Sequence, residues 1–111
     1  MVPHCVTLRS KSITDWHSFH TVFAEMMGFP DFYGHNLDAW IDCMTYLDDA
    51  NAGMTGISVA PGELFHLEVA DADDFQRRLP EVFRAFIECA AFVNRQRIDV
   101  GEPPILSLIL S

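Results

Sequence analysis

Ile105-Leu-Ser-Leu-Ile-Leu110, five apolar residues in six, is the stretch that decides the architecture. A run apolar on both faces reads as a strand buried from both sides, which is the habit of parallel sheets under helices. Gly101-Glu-Pro-Pro104 stops whatever precedes it. Further back, Val82, Phe83, Phe86, Ala90 and Val93 recur at helical spacing behind Pro80, a residue suited to a helix's first turn. The pattern breaks near Leu79, so a short helix capped by Asp71 or Asp73 precedes the long one. Residues 64–69 read as a buried strand. Residues 57–59, followed by Ala60-Pro-Gly62, leave open either a hairpin over 57–69 or a loop feeding a single strand.

The first half of the chain follows the same rhythm. Residues 5–9 form a short strand. Ser12-Ile-Thr-Asp15 supplies capping oxygens, and Trp16, Phe19, Phe23 and Met26 or Met27 then fall on one helical face until Gly28 and Pro30 end it. Asn36 caps a second helix that carries Leu37, Trp40, Ile41, Met44 and Leu47, and residues 49–56 are a loop. Strand, helix, helix, strand, helix, helix, strand is the order expected of one small α/β domain spanning 1–111, with a three-stranded parallel sheet flanked by about four helices. Strand order stays open.

Half of the 111 residues are apolar, and nine Phe, two Trp and two Tyr supply bulk for an unaided core. Sixteen acids against seven bases give a formal charge of -9, which argues against direct nucleic-acid binding and against anionic membrane surfaces. No apolar run approaches the ~20 residues of a membrane helix, and the N-terminus lacks the basic and apolar regions of a signal peptide. Cys5, Cys43 and Cys89 sit among apolar neighbours outside any Cys-x-x-Cys motif, so buried, reduced thiols and a cytoplasmic location are expected.

The charge is unevenly placed. No Lys or Arg stands between Lys11 and Arg77, a window holding twelve of the sixteen acids. A solvated face explains most charge runs. On the second helix, however, Asp38, Asp42, Thr45 and Tyr46 fall on one seam, between roughly 80° and 180° from Leu37 at about 100° per residue. Like charges one turn apart destabilise an isolated helix by a few tenths of a kcal/mol. The loop before this seam, Phe29-Pro-Asp-Phe-Tyr-Gly-His-Asn36, concentrates three aromatics around a glycine. Phe29 and Phe32 can fold back onto the core, or Tyr33, with Phe32, can be presented beside the carboxylates. Aromatic anchors next to carboxylates are a composition of tight protein interfaces.

At these residues the chain resembles the barstar family of intracellular ribonuclease inhibitors. Ile13-Thr-Asp15-Trp-His17, Pro30-Asp-Phe-Tyr-Gly34-His-Asn-Leu-Asp-Ala39, Asp42-Cys-Met-Thr45 and the terminal strand carry the resemblance across nearly the whole length. It implies a non-catalytic fold whose loop and second helix plug the active site of a basic, barnase-type ribonuclease. Carried over, Asp42 takes the phosphate-binding place and Asp38 is a second charge contact. Tyr33 is then the aromatic anchor, with Phe32 and Gly34 in the same loop, Asn36 the cap fixing loop to helix, and Thr45 beyond the central acid. Phe32 stands where the family has a tyrosine, Ile41 where a tryptophan is typical, and Ala85 where the family has an acid.

Other chemistries are weaker. His17 and His20 share i,i+3 spacing, but no third metal ligand is placed, and a local hydrogen bond explains His17. Cys43 with His35 or His66 suggests a thiol nucleophile, yet Cys43 lies on the buried side of its helix. Asp38 and Asp42, solvated on a helix, lack the burial that lets two carboxylates work as acid and base. No phosphate loop or serine elbow is present. The expectation is therefore an antitoxin or immunity-type inhibitor that is not an enzyme, needs no metal or cofactor and is monomeric when free. Its partner surface comprises Phe32, Tyr33, Gly34, Asn36, Asp38, Ile41, Asp42, Thr45 and Tyr46. The rival is a module of the same fold whose partner is not a ribonuclease.

Overall fold

The computed structural model describes residues 5–111; the first four residues, on which the signal-peptide reading partly rests, lie outside it. In chain order the elements are β1 (Cys5–Arg9), α1 (Trp16–Met27), α2 (Leu37–Thr45), β2 (Phe65–Ala70), α3 (Ala72–Arg78), α4 (Pro80–Asp99) and β3 (Leu106–Leu110), with short 3-10 turns at Ser10–Ser12 and Ala50–Ala52. The sheet order is β1-β2-β3 and both pairings are parallel, with Leu67 of β2 between Val6 and Leu108. Among the described residues no helix is long and apolar enough to cross a membrane.

Local chemistry accounts for most boundaries. Asp15 Oδ1 accepts from Ser18 N at 2.8 Å while Ser18 Oγ accepts from Asp15 N at 3.0 Å, a reciprocal cap that starts α1. Gly28 ends it at φ +66°, where a Cβ would come within 2.8 Å of Gly56 Cα; only glycine meets both demands. Asn36 Oδ1 accepts from Ala39 N at 2.8 Å and opens α2. Pro80 is the first residue of α4. Of the two candidate caps for α3, Asp71 holds the N-cap position with φ +55°, without a side-chain capping bond, and Asp73 lies in the first turn.

The hairpin considered over 57–69 does not form; β2 is a single strand. The reason lies in where the preceding backbone bonds go. Gly56 N donates to Met27 O at 2.8 Å and Val59 N to Leu47 O at 2.9 Å, so the segment is sewn to the ends of α1 and α2 instead of pairing with β2.

The expectation of strands buried on both faces also needs correction. Leu8, Phe65, Leu67, Val69 and Leu106 are buried, whereas Cys5, Thr7 and Arg9 on the opposite side of the alternating pleat are exposed, and Ile109 and Leu110 are about half exposed. One face of the sheet is largely uncovered, and β1 and β3 are both edge strands. Cys5 is accordingly exposed, contrary to the buried-thiol reading, while Cys43 is buried and Cys89 half-buried; all three are free.

The core gathers around Phe86 of α4. Its ring meets Phe19 at 6.2 Å, Phe23 at 5.7 Å, Trp40 at 6.0 Å and Phe75 at 6.4 Å, and all five side chains are fully buried. Edge and tilted contacts of this kind fix relative orientation as well as burying area. Trp40 is α2's contribution, so this cluster seats α2 between α1 and α4 and turns its opposite face outward.

Candidate functional site

That outward face carries the two acids. Asp38, in the first turn of α2, and Asp42, one turn later, are both exposed. Three cations are engaged with other acids: Arg77 with Asp73, Arg78 with Asp74, and Arg97 with Asp48 and Glu102. Asp38 and Asp42 have no ion-pair partner among the described residues. Asp38 is favoured by the positive helix N-terminus, but Asp42 stands near the negative end. Thr45 is half-buried and turns its hydroxyl back to Ile41 O at 2.6 Å. Ile41 is itself half-buried, packed against the core. Tyr46 caps the helix with 46% of its surface exposed.

The aromatic loop reverses the expected roles of its two central rings. Phe32 is 76% exposed, whereas Tyr33 is 7% exposed, so Tyr33 is not the presented anchor. Its hydroxyl meets His20 Nδ1 at 2.6 Å, and its ring packs on Phe29 and His35 at 4.6 and 5.1 Å. Burial of Tyr33 pushes its pKa upward, with a further contribution from Cys43, and the phenol stays protonated. His20 is held below its ordinary value by burial first, then by His35 and His17. Burial likewise pushes the Cys43 thiol up to about 11, with Asp42 adding to the shift, so Cys43 is a poor nucleophile.

With Tyr33 turned inward, the neighbouring Phe32 projects outward. Gly34 is exposed and its carbonyl accepts from Asn36 Nδ2 at 3.3 Å, closing the turn into the α2 cap. Asn36 thus binds the loop on one side and the helix on the other. The structure therefore brings Phe32, Gly34, Asn36, Asp38, Asp42 and Tyr46 to the exposed surface, with Ile41 and Thr45 at its margin and Tyr33 beneath it.

Trp16, His17, His20, His35, Asn36 and Leu37 line a shallow hollow of about 380 Å³ beside this surface. His17 stacks on His35 with ring centroids 6.3 Å apart. No group of three His, Cys, Asp or Glu side chains among the described residues could hold a metal ion.

Two roles that matter here were missed in the sequence: His20, weighed only as a metal ligand, is the buried partner of Tyr33, and Arg97 is a buried clamp. His20 follows Phe19 on the α1 stripe, and a polar ring there called for a buried partner. Arg97 continues the buried series Phe86, Ala90, Val93 of α4 and is 5% exposed. A guanidinium at a core position requires an acid, and Asp48 supplies it at 2.8 Å.

Fold and surface together define a class: a small α/β domain with a three-stranded parallel sheet that displays an acidic helix beside an exposed aromatic loop. The chain belongs to the barstar family, whose model, described as barstar (barnase inhibitor), matches residues 3–108. The family is one of inhibitors, not enzymes. No curated protein matches the chain.

Proposed function

We propose that the protein binds and blocks the active site of a basic, barnase-type ribonuclease, as an antitoxin or immunity protein acting in the cytoplasm. The observation that carries this reading is the exposed pair Asp38 and Asp42, free of internal ion pairs among the described residues, on a helix seated firmly from behind. Charges left unpaired cost folding stability through self-repulsion, and they are useful when a cationic site is to be met. Asp42 stands in for a substrate phosphate, Asp38 is its charged neighbour, and Phe32 takes the anchoring role that the sequence suggested for Tyr33. The net charge of -9 speeds encounter with a positively charged enzyme.

The test compares the native protein and Asp42→Ala binding a barnase-type ribonuclease at low and moderate salt. Losing one partner of a desolvated charge pair costs ~2–5 kcal/mol, so at least a ~30-fold weaker complex is expected, with association slowing as salt rises. Equal, salt-insensitive binding by both proteins removes the proposed plug. Ala85, half-buried on α4, favours the second reading, a partner that is not a ribonuclease, because the family's acid at that place is absent. Recovery of an acidic or metabolic protein from the native cytosol, in place of a basic nuclease, would select it.

A further inference from the structure

Arg97 is the one Lys, Arg, Asp or Glu that is buried among the described residues, and four of the five N–H donors of its guanidinium are hydrogen-bonded. Nε donates to Pro103 O at 2.9 Å, Nη1 to Thr45 O at 2.9 Å and Asp48 Oδ1 at 3.3 Å, and Nη2 to Asp48 Oδ2 at 2.8 Å. Glu102 Oε2 lies 3.7 Å from Nη2. One side chain near the end of α4 therefore ties together the segment entering β3 and the exit of α2.

The exit of α2 needs such a tie. The helix has nine residues, no basic residue in its last turn and no left-handed glycine after it; Tyr46 closes it at φ -101° with a 3.3 Å bond to Cys43 O. Its terminal carbonyls are thus poorly capped, and Asp42 places a negative charge near the negative end of the dipole. Arg97 supplies both missing elements from another helix, a donor for Thr45 O and a positive charge. Stability alone does not call for this arrangement, because apolar residues of matching volume commonly replace a buried ion pair at little or no cost. A forked donor bonding in three directions adds a defined position.

We propose that Arg97 is a positioning residue of the partner-binding surface: by holding Thr45 O and Asp48 it fixes the last turn of α2 and so presents Asp42 in one place. This rests on the reading of α2 as the ribonuclease-facing helix. Arg97 touches no partner; it acts through Asp42.

The decisive measurement is a double-mutant cycle on dissociation from the same barnase-type ribonuclease, pairing Arg97→Met/Asp48→Leu with Asp42→Ala. Dissociation accelerates about tenfold when Asp42 is present and less than about threefold when it is already alanine, as coupled groups require. An equal factor in both backgrounds, or no change in either, overturns the proposal, since a purely structural role is indifferent to Asp42. Amide exchange is read in parallel on the free protein. Protection falls at residues 44–46 and is kept in β2; unchanged protection at 44–46 also overturns it. If no ribonuclease binds the native protein, the functional reading fails while the exchange experiment still judges the clamp. Should the doubly substituted chain not fold, Arg97→Lys carries the same cycle, because one ammonium cannot span Thr45 O, Pro103 O and both Asp48 oxygens.

Discussion

Replacing Tyr33 by Phe removes one oxygen atom, and its consequences can be worked from the structure. The lost bond, His20 Nδ1 to Tyr33 Oη at 2.6 Å, joins two buried residues. A typical hydrogen bond contributes ~1 kcal/mol net, but a buried group left without a partner costs ~1–3 kcal/mol, so ~2 kcal/mol is expected here. An unfolding entropy of ~2.1 cal/mol/K per residue gives ~0.23 kcal/mol/K over 111 residues, hence a fall in Tm of ~9 °C. Urea unfolding at pH 7.5 should show an earlier midpoint with an unchanged slope. Adding His20→Leu to Tyr33→Phe should recover most of the loss, since both polar groups are then gone.

The same pair sets a pH dependence. His20 is held below its ordinary value of 6.5, by burial and then by His35 and His17, so in the acid range the unfolded chain binds more protons than the folded one. Stability contributed by neutral His20 is present above pH 6.5 and is lost as pH falls through that value toward the lower folded pKa. His20→Leu should flatten this part of the profile. A Tyr33→Phe protein within ~0.5 kcal/mol of the native one would refute the reasoning, because a made and buried bond cannot be that cheap to remove.

Two further substitutions separate surface from scaffold. Phe32→Ala, at a ring 76% exposed, should leave the urea midpoint unchanged while weakening binding to a barnase-type ribonuclease by at least tenfold, ~1.4 kcal/mol; unchanged binding would deny it the anchoring role. Gly28→Ala should cost more than ~2 kcal/mol in chemical denaturation, from left-handed strain plus the 2.8 Å approach to Gly56 Cα. Gly53→Ala is its control: at φ +69° with nothing within 4 Å, it carries only the strain, ~1 kcal/mol, and equal losses at the two sites would show the Gly28–Gly56 crossing to be slack.

Much of this protein was legible in one dimension because the responsible interactions are local. Asp15, Gly28, Asn36 and Pro80 mark helix ends through bonds and backbone angles reaching at most a few residues away, and each holds its expected position. Helical spacing named the buried face of α4, and the i,i+4 seam placed Asp38 and Asp42 on the exposed side of α2. Tertiary structure decided what local pattern leaves degenerate. Phe32 and Tyr33 are adjacent rings, and which one turns inward depends on His20, thirteen residues upstream, offering a buried nitrogen to a hydroxyl that only Tyr33 possesses. The strands read as apolar from both sides, yet one sheet face stays largely uncovered because a run's hydrophobicity says nothing about how many helices reach it. Arg97 was invisible as a clamp because its partners, Thr45 and Asp48, lie 52 and 49 residues away, and only the closed fold brings a guanidinium from the end of α4 to the exit of α2.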